Sequence, residues 1–189
     1  KSRRGVTVFD TDEHVRADAS VEGMAKLRTV FKQDGSVTAG NASGINDGAA
    51  AVVLMERGAA EARGLTPKAR LVGYALAGLD PTIMGMGPVP AVNKVMERTG
   101  LKTSDMDVIE LNEAFASQAL ACARDLELDP AKVNPNGSGI GLGHPIGATG
   151  AILTVKTIYE LQRTGGRYGL VSMCIGGGQG IAAIFENLQ

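Results

Sequence analysis

Three short loops carry side chains able to move protons. Asn112-Glu113-Ala114-Phe115 follows an apolar run, Gly143-His144-Pro145 lies in the glycine-rich stretch Asn134–Ala151, and Cys174-Ile175-Gly176-Gly177-Gly178 separates two further apolar runs. An imidazole beside a thiol exchanges protons near neutral pH when the thiol pKa is lowered, and glycine N–H groups on an open backbone stabilise an enolate or a tetrahedral oxyanion. Each residue also has an ordinary structural use: Asn112 as a helix N-cap, His144 as a structural imidazole, Cys174 as a buried apolar thiol. Their joint occurrence, in loops too glycine-rich for packing to explain, points to an active site. The stretch around His144 is not a dinucleotide fingerprint, because Gly137, Gly139, Gly141 and Gly143 alternate and Leu142 stands where that pattern needs a glycine.

The elements that would position these loops follow from hydrophobic periodicity. Short apolar runs predict strands at Val6–Phe9, Ala49–Met55, Ala69–Leu79, Val108–Leu111, Tyr168–Met173 and Ile181–Glu186. Asp18 or Ser20 would cap a helix on which Met24, Leu27 and Phe31 recur at helical spacing. A brief helix is expected over Ala59–Arg63, another from Pro90 to Gly100, a third opening at Asn112-Glu113 and running to about Leu126, and a fourth from Pro145. From Ala114 to Ala123 only Ser117 and Gln118 are polar, and the first half of the helix from Pro145 is similar. Both therefore read as helices buried between sheets, which requires more layers than a three-layer α/β sandwich. Gly48–Val53 and Gly180–Glu186 are alike enough to suggest a weak internal repeat, in which Ala49–Met55 closes one half-domain and Ile181–Glu186 closes its duplicate.

Composition bounds the function. The chain has 189 residues, 44% hydrophobic, with a net charge of −1 and interspersed signs, so there is no basic stripe for nucleic acid. Two cysteines far apart and two histidines do not make a structural zinc site, and they suit a reduced, cytoplasmic setting. No apolar run reaches membrane-spanning length, and Lys1-Ser2-Arg3-Arg4-Gly5 does not lead into a signal-peptide core.

The Asn-Glu-Ala-Phe, Gly-His-Pro and Cys-x-Gly-Gly-Gly motifs, with Gly40-Asn41-Ala42-Ser43-Gly44 as a fourth, resemble in order and approximate spacing those of the thiolases, acyl-CoA acetyltransferases of the 3-ketoacyl-CoA or acetoacetyl-CoA type. The resemblance covers essentially the whole chain and implies a five-layer αβαβα sandwich of which these residues supply the C-terminal half. Residues 1–57 would be the end of a CoA-binding loop region with the closing strand of the N-terminal half-domain, and residues 58–189 the C-terminal half-domain. It implies that His144 deprotonates a nucleophilic cysteine and shares a first oxyanion hole with a water held by Asn112. It also implies that Cys174 exchanges a proton with the α-carbon of acetyl-CoA and that the Gly176 N–H helps form a second oxyanion hole. Ser43 would contact the pantetheine arm of CoA and Ala114 and Phe115 would line its tunnel, while Arg16, Leu27 and Phe31 would lie near the nucleotide end. CoA and acyl-CoA are implied as substrates, with no covalently bound cofactor, and a homodimer or homotetramer as the assembly.

One departure from the family pattern matters. The acylated cysteine of thiolases lies in the N-terminal half, and neither Cys122, inside an apolar helix, nor Cys174 matches it. These residues alone should not complete a ping-pong reaction. They read as one part of a complete enzyme that needs its N-terminal half. The alternatives are a catalytically incomplete fragment and a non-catalytic CoA- or lipid-binding protein of the same fold. Related condensing enzymes carry His or Asn where this chain has Cys174, which sets it apart from them.

Overall fold

The computed structural model describes residues 5, 6 and 8–189. Its centre is one four-stranded mixed sheet of order β1-β4-β3-β2, formed by β1 (Ala69–Gly78), β2 (Val108–Leu111), β3 (Tyr168–Ile175) and β4 (Gln179–Asn187). β1 and β3 each run antiparallel to β4, and β2 runs parallel to β3, pairing Leu111 with Ser172. Alternation along β3 and β4 sends Leu170, Ala182 and Ile184 to one face and Val171, Ala183 and Phe185 to the other. On the first face α3 (Pro88–Thr99) buries Val92 and Val95, and α4 (Ala116–Asp125) adds Cys122. On the second, α6 (Thr149–Thr164) packs Leu153 against Val171 and Phe185. Each fully buried Leu, Ile or Val contributes roughly 1.5–3 kcal/mol, so the α3 face carries most of the apolar stabilisation.

The sequence reading holds for β1, β2, α3 and α2 (Arg57–Glu61), and Gly100 ends α3 at φ +71°. Elsewhere the structure departs from it. α1 (Val21–Met24) is capped by Ser20, whose Oγ accepts from Gly23 N at 3.0 Å, but it stops before Leu27 and Phe31. Val6, Val8 and Phe9 are irregular and exposed, and Thr7 lies outside the described residues. Ala49–Met55 is likewise no strand; Val53 is 88% exposed, and no described strand pairs with this segment, so the proposed repeat has only its second copy in a sheet. In the described residues α4 and α6 are each covered on one side, with Leu120 and Tyr159 more than half exposed, so this half of the chain shows three of the expected layers.

Two features set the position of the motif loops. The loop Pro81–Met86 is 3₁₀-helical and runs beside the β3–β4 turn, where Leu79 N donates to Gly178 O at 2.8 Å. There the backbones of Gly87 and Gly180 pass so closely that a Cβ on Gly180 would overlap the Gly87 carbonyl. On the other side of the sheet, Lys156 of α6 reaches the fully buried Glu110 of β2 at 2.9 Å and also donates to Gly137 O. Burial raises the Glu110 pKa and the Lys156 contact opposes the rise. Further along α6, the Arg163 fork and Asn136 hold the Glu160 carboxyl down at about 2.

Two outcomes are expected. Gly180→Ala forces two backbones apart, with no flexible side chain to yield, and should lower stability by about 1–3 kcal/mol in urea unfolding; an unchanged midpoint would show that the crossing relaxes freely. Glu160 has a folded pKa below its unfolded value. Its contribution is therefore complete above pH 4.5 and is lost as pH falls toward about 2. The stability difference between wild type and Glu160→Gln should shrink across that window, and a constant difference would contradict the assignment.

Candidate active site

The three motif loops meet at the C-terminal ends of β2 and β3. Asn112 directly follows β2 and is fully buried, and its backbone N donates to Ser172 O at 3.0 Å, extending the ladder by one step. It is therefore not an N-cap. α4 begins at Ala116, because Ala116 N donates to Asn41 O at 2.9 Å and Phe115, extended, bridges Ala42, which keeps 113–115 out of the helix. Asn134 braces the same turn: its amide accepts from Leu111 N and donates to Leu111 O, each at 2.9 Å.

His144 follows α5 (Gly139–Leu142) and precedes α6 by five residues. Pro145 does not open the helix; its carbonyl accepts from Ala148 N at 2.7 Å and from Thr149 N at 3.0 Å, so α6 starts at Thr149. The half-buried imidazole lies between two partners. Asn112 Nδ2 is 3.3 Å from its Nε2, and Thr149 Oγ1 is 2.7 Å from its Nδ1. Thr149 Oγ1 donates to Pro145 O at 3.1 Å, and that carbonyl can only accept. With the hydroxyl hydrogen on Pro145 O, Oγ1 accepts from Nδ1–H and Nε2 accepts from the Asn112 amide, a tautomer assigned from this hydrogen-bond network. Burial lowers the His144 pKa, so this neutral tautomer, a base at Nε2, is the resting form at neutral pH.

Cys174 sits in β3 opposite Gly180 and is 8% exposed. Burial raises its thiol pKa. The sequence chemistry envisaged a lowered one, but the strand end is too enclosed for a thiolate to be favoured at rest. The turn beyond it is only Gly176-Gly177-Gly178, with Gly177 at φ +85° and Gly178 at φ +83°. Nothing lies within 4 Å of where a Cβ on Gly176 would be, so its exposed main chain is open to approach. Cys122 is different in kind: fully buried, it donates to Gly85 O at 3.3 Å, and desolvation pushes its pKa up to about 11. It is chemically inert.

The predicted CoA-contact residues divide. Ser43 N donates to Ala114 O at 3.0 Å, and the rings of Phe31 and Phe115 meet edge to face with centroids 5.7 Å apart. Ser43, Ala114, Phe115 and Phe31 thus form one group, in which Phe31 is 73% exposed and offers an apolar face to a ligand. Leu27 packs on Gly40 at its rim. Arg16 is exposed, in a turn closed by Ala19 N onto its carbonyl, and no side-chain contact joins it to the group. Sequence reasoning did not find Thr149 or Asn134; for Thr149 the available signal is a hydroxyl five residues beyond a histidine at a helix start.

A mixed α/β half-domain with the Asn112–His144 pair and Cys174 at its strand ends is the arrangement the thiolase resemblance implies, and the comparisons show the family. The models of the thiolase C-terminal and N-terminal domains match residues 65–187 and 1–58, and the chain belongs to the thiolase family. It is 68% identical over its full length to beta-ketothiolase BktB of Cupriavidus necator, covering 48% of that protein. To the mitochondrial 3-ketoacyl-CoA thiolase of Bos taurus it is 51% identical, over 99% of this chain and 47% of that one. The crystal structure of Bacillus anthracis acetyl-CoA acetyltransferase superposes with a TM-score of 0.91 at 55% identity, over all of this chain and 48% of that chain. Human mitochondrial 3-ketoacyl-CoA thiolase in complex with CoA gives 0.86 at 45% identity, over 96% and 46%. The chain spans about half the length of the relatives it matches, and its three layers are the C-terminal half of the thiolase-like five-layer sandwich.

Thr149→Val keeps the shape of the side chain but removes the acceptor for Nδ1–H. In ¹⁵N spectra of the imidazole it should shift His144 away from the Nδ1–H tautomer, with Thr149→Ser restoring it. Identical spectra for Thr, Ser and Val at this position would mean that the tautomer is set elsewhere.

Proposed function

We propose that this chain carries the C-terminal half of a thiolase active site, which cleaves 3-ketoacyl-CoA with CoA or, in reverse, condenses two acyl-CoA molecules. The observation that carries this reading is the polarised Asn112–His144–Thr149 chain, which presents an unprotonated Nε2 beside a buried asparagine. The nucleophilic cysteine would come from the remainder of the N-terminal domain, since Cys122 is inert and Cys174 has the acid/base role. That remainder would also cover the exposed Val53 and Leu54 and the outer face of β1, where Tyr74 and Leu76 are exposed.

In the condensing direction, His144 Nε2 takes the proton of the nucleophilic thiol, which attacks the acetyl-CoA thioester and expels CoA. The acyl-enzyme carbonyl then lies against the Gly176 N–H. The departing CoA thiolate takes the proton of the Cys174 thiol, and the Cys174 thiolate so formed takes the α-proton of a second acetyl-CoA, whose enolate oxygen faces His144 and a water held by Asn112. The enolate attacks the acyl-enzyme and releases the nucleophilic cysteine, which recovers its proton from His144. In thiolysis the order reverses. Cys174, resting as a thiol because burial raises its pKa, is then in the form that returns a proton to the departing α-carbon. The Phe31–Phe115 pair with Ser43 and Ala114 supports the proposal that the pantetheine arm enters beside the Asn112 loop. A homo-oligomer in the cytoplasm is proposed on the family resemblance and the cysteine usage.

In the complete enzyme, Cys174→Ala should leave acylation by labelled acetyl-CoA largely intact while suppressing α-hydrogen exchange of acetyl-CoA into deuterated water. Normal exchange would refute the acid/base role. His144→Ala should slow acylation itself by about 10²–10⁴-fold, and an unchanged burst rate would count against the base.

A further inference from the structure

The segment Gly40–Gly48 belongs to no helix or strand, yet it touches both loops that carry the Asn112–His144 pair. At one end Ala42 bridges Phe115, flanked by the hydrogen bonds of Asn41 to Ala116 and Ser43 to Ala114. At the other, Ile45 pairs in parallel with His144, and Asn46 Oδ1 accepts from His144 N at 3.1 Å. The Asn46 amide is seated between two glycines. A Cβ on Gly44 would lie 2.8 Å from its oxygen, and one on Gly143, at φ +94°, would lie 2.7 Å away. Gly48 then packs against Pro145, where a Cβ would again be 2.7 Å from the ring.

The loop around His144 has little else to hold it. Gly143 has no side chain, Pro145 has no N–H, and the Gly143 N–H is already spent on Gly139 O at 3.1 Å. The His144 N–H is thus the one donor of this tripeptide left to fix the loop laterally, and Asn46 takes it. The imidazole, in turn, must satisfy two partners at once, 3.3 Å away on one side and 2.7 Å on the other. A displacement of the main chain at His144 breaks one contact or the other.

We infer that Asn46 is a positioning residue for the thiolytic reaction: it clamps the main chain of His144 so that the imidazole stays bridged between Asn112 and Thr149. Its consequence for turnover rests on the function proposed above, whereas its effect on the imidazole does not. The Asn46 side chain accepts from the main chain of His144 and not from its ring, so its loss disturbs orientation more than substrate binding.

The test uses the complete enzyme with Asn46→Leu, which keeps the bulk and loses the acceptor, and Asn46→Asp, which keeps an acceptor oxygen. For thiolysis of acetoacetyl-CoA, Asn46→Leu should lower kcat by about 10–100-fold with KM held within about twofold, and Asn46→Asp should retain kcat within a few-fold. In parallel, ¹⁵N spectra of the imidazoles, with His144 assigned by its loss in His144→Asn, should show the Nδ1–H tautomer in wild type and Asn46→Asp and averaged nitrogen shifts in Asn46→Leu. A wild-type kcat and unshifted imidazole signals in Asn46→Leu would overturn the inference. So would losses of kcat in both variants that merely track the folded fraction in thermal melts. If Asn46→Leu does not fold, Asn46→Ala is read by the same two measurements. Wild-type enzyme with the expected spectra but no thiolysis would instead overturn the proposed function and leave the clamp standing.

Discussion

The parallel ladder between β2 and β3 is the constraint on which the site depends. Because it continues one step past β2, through Asn112 N to Ser172 O, the asparagine emerges at the same sheet end as Cys174, two residues along the neighbouring strand. The strand ends are rigid because both faces are covered, β2 being buried at every position. Side chains on such an edge are placed by backbone hydrogen bonds, not by loop preferences, which is what preorganised acid–base chemistry needs. Glu110, at the centre of β2, adds a buried ion pair to Lys156, tying the sheet to α6 and to the Gly137 carbonyl below the histidine loop.

Burial then decides the protonation states. It moves His144 down and Cys174 up, so both rest neutral, one as a base and the other as an acid. These are complementary forms for a reaction that takes a proton from one carbon or sulfur and returns it to another. Cys122 illustrates that residue type alone is insufficient: the same desolvation, without an open backbone beside it and with a hydrogen bond to Gly85 O, makes a thiol that only packs.

Close backbone contacts carry the remaining precision. Gly87 against Gly180 sets the turn that follows Cys174, and Gly143 against Asn46 sets the loop that carries His144. In both, a glycine is required by the approach of another chain segment. The glycine-rich character of these loops thus reflects tertiary contact as much as access for a ligand.

Much of this was legible in the sequence, and the reason is local. β1, β2 and α3 follow from apolar periodicity and from Pro90 and Gly100 as helix punctuation, and the motif order alone points to the thiolase family. What the sequence could not decide were features set by partners distant along the chain. Ala49–Met55 has strand composition but no strand partner among the described residues, so it stays irregular. Asn112 has every attribute of an N-cap, yet Ser172, sixty residues on, claims its backbone and gives it to the sheet. Pro145 could have begun a helix, but the preceding histidine is held by Ile45 and Asn46, about a hundred residues earlier, and α6 waits until Thr149. Local propensity was overruled wherever a long-range hydrogen bond competed for the same backbone group, and those places are where the proposed chemistry lies.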